Sequence, residues 1–583
     1  MPDLVQPINW LAIAPPLAVA LTAVAVLVVD AVARGRRPGL VSWAAFGGLV
    51  SALALLLPLR HVAGTSSAML AAEAASSPGQ NIDFAILGHD FAFCAQVVAF
   101  RVDPLSGPMT CSYVVDNTTL VFQLLAAGGA AVVVLLSTRA SLGSRIPVGE
   151  YHFLLLCSAS GAMVLAGARD LITLVVALEL VSLPAFALVG LRGGDRRAAE
   201  AALKFFLVSV VSVAVMLFGV SLVYGVTGTV YLAQIDAALR DGAGPAGVAA
   251  VGVMLTLVGL AFKVAAVPFH FWVPDTYVGA PVPVAAYLSV VSKAAGFVGL
   301  LLVVSIAFPS YAGVWAPVVA VLAALTMTLG NLVALRQRNA VRLLAWSSVA
   351  QAGYLLVPLG AASAASSAVT SGGEGSAAGA DGLLQATVAY LLIYAVVNLG
   401  AFSVVAVTAG ARGPEVRGSD ARGSAGGRPA GGGSELRGSV GGGRMLADYR
   451  GMAWSRPVRA CALAFFLLAL AGLPPGVIGL FGKVVIFRAA IDGGAGWLAV
   501  VMAVNVVIAL AYYLYWAALL FLPPQARGRP VDGVRLDPAT AGRRLATPWP
   551  AGIAVGLTAV LGVVLSVAPN LVLGVLGVVR LAF

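Results

Sequence analysis

Runs of about twenty apolar residues recur from one end of this 583-residue chain to the other. A helix rises about 1.5 Å per residue, so each run is long enough to cross the roughly 30 Å hydrocarbon layer of a bilayer. Hydrocarbon offers no partner to backbone N–H and C=O groups, so such runs fold as helices that satisfy their own backbone. An all-α integral membrane protein is expected. About fourteen spans are counted, centred near residues 20, 49, 127, 160, 180, 215, 257, 294, 321, 350, 395, 470, 510 and 562. The chain is 60% hydrophobic and 10% charged, which excludes a soluble globular domain. The first run, from Leu11 to Val29, lacks a basic leading flank and a cleavage site, so it reads as a retained helix rather than a signal peptide.

Between the runs, residues 59–112 form a long mixed connection with Glu73, Asp83, Asp90 and Asp103. Residues 361–382 are rich in Ala, Ser and Gly, residues 410–446 in Gly, Ser and Arg, and both tracts read as linkers. Basic residues test the layout, because cytoplasmic loops collect Lys and Arg. With the N-terminus outside, the inner loops hold twenty-six of the thirty-five basic residues. The outer segments hold six (Arg60, Arg101, Arg169, Arg240, Arg488 and Arg580), and three lie within spans. This asymmetry favours an even number of helices and both termini on the outer face, in a multi-pass protein of the bacterial cell membrane.

The net charge of +11 therefore follows membrane topology, and no nucleic-acid partner is expected. The four cysteines (Cys94, Cys111, Cys157 and Cys461) show no metal or cluster spacing, and the four histidines are scattered. Whether Cys94 and Cys111, both placed outside, pair as a disulfide stays open. No glycine-rich dinucleotide fingerprint or phosphate-binding loop occurs. No metal site, and no cofactor bound by this chain, is expected.

What remains is a set of ionisable residues inside the apolar runs. Only four of the basic residues are lysines: Lys204, Lys263, Lys293 and Lys483. Arginine stays charged in proteins, whereas lysine can release its proton when desolvated or placed near another charge. Lysine kept only where water is scarce points to proton handling. Glu179 is the only acid in "LITLVVALELVSLPAFALVG", and intramembrane acids are functional by default. Lys204 follows Glu200 by four residues, so an ordinary surface pair is an equal alternative there. Lys263 lies in "GLAFKVAAVPFHFWVPD", where Pro268 should break the helix beside it. His270 is a possible relay or an ordinary structural histidine. Lys293 sits mid-run, and Lys483 follows Pro474, Pro475, Gly476 and Gly479 in a second interrupted segment. Two interrupted segments in separate parts of a chain point to repeated halves around a midplane ion path.

At these residues the chain resembles the antiporter-like membrane subunits of respiratory complex I, the bacterial NADH–quinone oxidoreductase. The matching segments are "ALELVSLPAF", "EAALKFFLVS", "YGVTGTVYL", "GLAFKVAAVPFHFWVPDTYVGAPVPVAAYLSVVSKAAGF", "AVRLLAWSSVAQAGYLL" and "DYRGMAWSRPVRACALAFFLLALAGLPPGVIGLFGK". They run from about residue 100 to 520. The resemblance implies two inverted five-helix repeats, helices 4–8 and 9–13, each with one broken helix. It divides the chain into residues 1–112, with two helices and an external connection, and 113–306, with helices 3–8. Residues 307–522 then hold helices 9–13 and the insert, and 523–583 the last basic loop and helix. It implies that Glu179 and Lys204 form a carboxylate–lysine pair, that Lys263 and Lys293 are central-axis lysines, and that Lys483 belongs to the second broken helix. The implied activity is proton translocation driven by electron transfer from NADH to quinone in other subunits. NADH, FMN, iron–sulfur clusters and quinone would then be handled by those partners. Neighbouring antiporter-like and small membrane subunits, the peripheral redox arm and the lipid bilayer are the expected partners. The insert at 410–446 and the 59–112 connection depart from the family pattern. A subunit of a multisubunit cation/proton antiporter or membrane-bound hydrogenase, and a stand-alone solute transporter, are the alternatives. An assembly scaffold fits the full set of lysines less well.

Overall fold

A computed structural model describes residues 9–33, 37–76, 91–94, 111–138, 142, 146–362, 376–410, 445–524 and 548–572. In chain order the principal helices are α1 (Trp10–Ala33), α2 (Pro38–Ser76), α3 (Asn117–Leu136), α4 (Val148–Gly167), α5 (Leu171–Gly190) and α6 (Arg196–Thr227). There follow α7 (Leu232–Arg240), α8 (Ala246–Lys263), α9 (Trp272–Gly279) and α10 (Val282–Ala307). The second half has α11 (Ala312–Ala334), α12 (Ala340–Gly360), α13 (Ser376–Gly410), α14 (Pro457–Ala471), α15 (Val477–Asp492), α16 (Gly496–Phe521) and α17 (Trp549–Val567).

Thirteen helices among the described residues are long and apolar enough to cross a bilayer. The fourteenth expected span is the interrupted pair α14 and α15, whose members are too short to cross singly. Two boundaries differ from expectation. Helix α2 continues to Ser76, into the segment expected as a connection from residue 59, and α13 begins at Ser376 within the expected 361–382 linker. Alanine-rich sequence suits a helix as well as a linker, and proximity to a long apolar run extends the helix. Most of the 410–446 insert lies outside the described residues.

The expectation of an all-helical chain needs one small amendment. Phe91–Cys94 pairs antiparallel with Cys111–Val114, with Cys94 opposite Cys111, and Cys111 is disulfide-bonded. This strand pair leads directly into α3, whose first turn is capped by Asp116, accepting from Thr119 N at 2.7 Å. Asp116 also binds Arg169 at 2.5 Å, which ties α3 to the α4–α5 corner through a buried ion pair.

Both interruptions end their first helix in the same way. After α8, Ala265 takes a left-handed conformation (φ 64°) and Ala266 N donates back to Ala261 O at 2.9 Å. After α14, Gly472 takes φ 86° and Leu473 N donates to Leu468 O at 2.9 Å. Each is the six-residue closing bond that satisfies helix-end carbonyls. Proline then prevents the helix from resuming: Pro268 follows the first closure, Pro474 and Pro475 the second. The backbone is therefore irregular at two places inside the bundle, where such backbone is tolerated only if protein or water surrounds it.

Candidate ion-translocation site

Lys263 is the last residue of α8, so its amine reaches sideways at the point where the helix stops. It donates to Glu179 Oε1 on α5 at 3.1 Å, Ser182 Oγ on α5 at 2.6 Å and Ser209 Oγ on α6 at 3.2 Å. Three bonds use all three ammonium hydrogens. The side chain is 9% exposed and Glu179 26%, so the lysine lies inside and its carboxylate opens onto the surface of α5. Gly296 of α10 allows this packing, since a Cβ there would come within 3.0 Å of the Lys263 backbone.

Lys293 is carried by α10, a helix interrupted by wider π turns at Leu288–Ser292 and Val303–Ala307. Such turns re-aim side chains and concentrate at functional sites. Lys293 is 2% exposed and donates to Ser348 O at 2.5 Å and Ser348 Oγ at 2.6 Å on α12. Lys483, in the middle of α15 and 4% exposed, donates to Leu470 O at 2.9 Å and Ala471 O at 2.7 Å. Those carbonyls close α14, so the amine faces the negative end of that helix. Among the described residues neither Lys293 nor Lys483 has an ion-pair partner. The carbonyls freed by a helix break thus meet Lys483, not Lys263.

The expected pair of Glu179 with Lys204 does not form. Glu179 engages Lys263, while Lys204 binds Glu200 at 2.6 Å and Asp275 at 3.3 Å, with Arg342 3.8 Å from the same aspartate. The physical reason is position: Lys204 is 50% exposed near the start of α6, and its flexible stem carries the amine to its i–4 neighbour and to the first turn of α9. His270 stands on the α8–α9 link, buried against Trp346 with ring centroids 5.3 Å apart. Its Nδ1 and the Trp346 Nε1 are buried without a hydrogen-bond partner among the described residues. Neither bonds to a lysine there.

Sequence reasoning passed over the neutral polar residues. Ser182, Ser209, Ser348, Gln351, Tyr390, Tyr394, Asn398 and Tyr513 build the surroundings of the lysines, though none is ionised near neutral pH. Their spacing was a usable signal: Tyr390, Tyr394 and Asn398 recur every four residues and so share one face of α13.

No group of three or more His, Cys, Asp or Glu side chains that would hold a metal occurs among the described residues. A bundle with two broken helices and buried lysines at or beside each break defines a membrane protein of the ion-translocating, antiporter-like class.

Comparisons with known proteins place it more closely. The family model for the transmembrane part of NADH:quinone oxidoreductase and Mrp antiporters matches residues 168–373 and 374–509. NADH-quinone oxidoreductase subunit N 2 of Streptomyces griseus is 51% identical, over 98% of this chain and 94% of that protein. Subunit N of Salinispora tropica is 46% identical over 72% of this chain and 75% of its own length. Among solved structures, a chain of respiratory complex I from Thermus thermophilus with bound aureothin aligns over 97% of this chain and 100% of its own. Its identity is 30% and its TM-score 0.67. A chain of the Mrp complex from Dietzia sp. has a TM-score of 0.72 at 22% identity and covers 97% of this chain and 96% of its own, a likeness of fold alone. The chain belongs to the antiporter-like membrane subunit family of NADH:quinone oxidoreductase, and both relatives named above are subunit N.

Proposed function

We propose that this chain is a proton-translocating membrane subunit of NADH–quinone oxidoreductase, moving H+ along an axis of Glu179, Lys263, Lys293 and Lys483. The observation that carries the reading is the line of three buried lysines, two of them set at helix breaks and one beside a π turn, in a chain whose one further lysine, Lys204, lies half exposed near the start of α6. A buried amine that gains and loses a proton carries charge without any large movement of the chain. Glu179 opposes Lys263, so a change of charge outside α5 alters the field at the first lysine of the line. Arrival of charge there would release a proton from Lys263 towards Lys293, then Lys483 and the outer face.

Electron transfer supplies the energy, and we assign NADH, FMN, iron–sulfur clusters and quinone to partner subunits; this chain supplies no redox centre. Lys204, with Glu200, Asp275 and Arg342, is placed at the inner edge of the path rather than in its middle. The halves 113–306 and 307–522 each contain one of the two five-helix repeats, helices 4–8 and 9–13, in a bacterial cell membrane with both termini outside. The test is the H+/e− ratio of the assembled complex carrying Lys293→Ala or Lys483→Ala. A lowered ratio supports the reading; an unchanged ratio in both removes it.

A further inference from the structure

The step from Lys293 to Lys483 crosses side chains to which the mechanism above gives no role, and the inference here rests on the proposed function. Two hydrogen-bonded groups fill this region. The first holds Lys293: its amine binds Ser348, Ser348 Oγ lies 2.8 Å from Tyr394 OH, and Asn398 Nδ2 donates to Tyr394 OH at 3.1 Å and to Ser289 Oγ at 2.9 Å. The second is Ser347, Tyr513, Gln351 and Tyr390. In it, Tyr390 OH donates to Gln351 Oε1, Gln351 Nε2 donates to Tyr513 OH at 3.3 Å, and Tyr513 bonds Ser347.

The second group reaches Lys483 by packing. Tyr390 lies against Gly482, where a Cβ would approach its ring to 2.7 Å. It also meets Tyr354 at 6.5 Å between centroids, and the Lys483 amine lies 5.7 Å from the Tyr354 ring. No carboxylate or imidazole belongs to either group among the described residues.

The two groups run side by side, and among the described residues no hydrogen bond joins them. Ser348 and Gln351 are one turn apart on α12, Tyr390 and Tyr394 one turn apart on α13, so facing members are close neighbours. A hydroxyl both donates and accepts, whereas a neutral amide has no proton to pass at ordinary pH. Bonded to Gln351, the Tyr390 hydroxyl gives its hydrogen to that amide and not to the Lys293 group.

The geometry points to Gln351 as the gate between Lys293 and Lys483, with Tyr390 as the hydroxyl it holds or releases. When the Tyr390–Gln351 bond opens, that hydroxyl joins the Tyr394–Ser348 group, directly or through one water. A proton then leaves the Lys293 ammonium; each hydroxyl accepts one and passes on its own; the last is taken by the Lys483 amine. Every hydroxyl ends neutral, one amine has lost a proton and the other has gained it.

The test uses the assembled complex in proteoliposomes, with H+/e− ratio and NADH oxidation rate read together. Tyr390→Phe keeps the ring and removes the hydroxyl, and is expected to lower the ratio while oxidation continues. Gln351→Leu, which deletes the latch, is expected to lower it too. Gln351→His puts an ionisable imidazole in the position of the amide. Tyr277, Tyr354, Tyr390, Tyr394, Tyr512 and Tyr513, with Lys293 and Lys483, are the titratable groups that border this region, and the variant's ratio is expected to acquire a pH dependence that the parent lacks. Lys483→Ala separates the two claims. Wild-type ratios in Tyr390→Phe and Gln351→Leu, or a smaller yield of assembled complex whose ratio is unchanged, overturn the gate if Lys483→Ala still lowers the ratio. If Lys483→Ala also leaves it unchanged, the proposed function fails instead.

Discussion

Lys263, Lys293 and Lys483 share a residue type and a depth of burial yet have different partners: a carboxylate with two serines, one serine, and two helix-end carbonyls. The differences predict different sensitivities. Glu179→Gln removes the carboxylate bound to Lys263, so it should reduce proton pumping while Ser182 and Ser209 keep the lysine in place; H+/e− measurement in membrane vesicles checks this. Lys204→Gln should lower the ratio less than Lys263→Ala does, since Lys204 is half exposed and bound to acids at the edge. Arg169 and Asp116 are buried at the other end of the bundle, and breaking a buried pair by removing one member costs about 3–5 kcal/mol. Asp116→Ala should therefore reduce the amount of folded chain, read by detergent-extract melting, without a selective effect on pumping. Every lysine of the axis was legible in the sequence because each interrupts an apolar run. The partner of Glu179 was not, because two lysines lie within reach in sequence terms and only packing shows which one turns inward.

At the scale of elements, the two broken helices were foreseen from Pro268 and from Pro474–Pro475, and the π turns around Lys293 were not. Proline announces itself by chemistry, whereas a π turn follows from tertiary packing and leaves no residue signature. The matched closures after α8 and α14 differ in one respect. The left-handed position is glycine at 472 but alanine at 265, where a side chain costs about 1 kcal/mol. Ala265→Gly should raise the melting temperature of the purified complex slightly and leave its activity unchanged; a lowered melting temperature would count against that strain. At the second break, a Cβ on Gly479 would lie 1.7 Å from Ala469 O, within the turn that aims α14's carbonyls at Lys483. Gly479→Ala should prevent that approach and abolish assembly or pumping, checked by blue-native gels and H+/e− measurement.

For the whole molecule, the span count was legible because hydrocarbon thickness acts on sequence directly. The extents of α2 and α13 were not, since alanine-rich tracts do not declare where a helix ends. Reporter fusions at the two ends should both report the outer face; an inner signal at one end would require an odd number of crossings. The central claim is that Lys263 must release its proton, beyond carrying charge beside Glu179. Lys263→Arg tests it most directly in the assembled complex, because arginine keeps the charge and the bonding reach but does not deprotonate. The account predicts a complex that still assembles but has a lowered H+/e− ratio, as low as that of Lys263→Ala. A Lys263→Arg complex that pumps with the full parental ratio would contradict it.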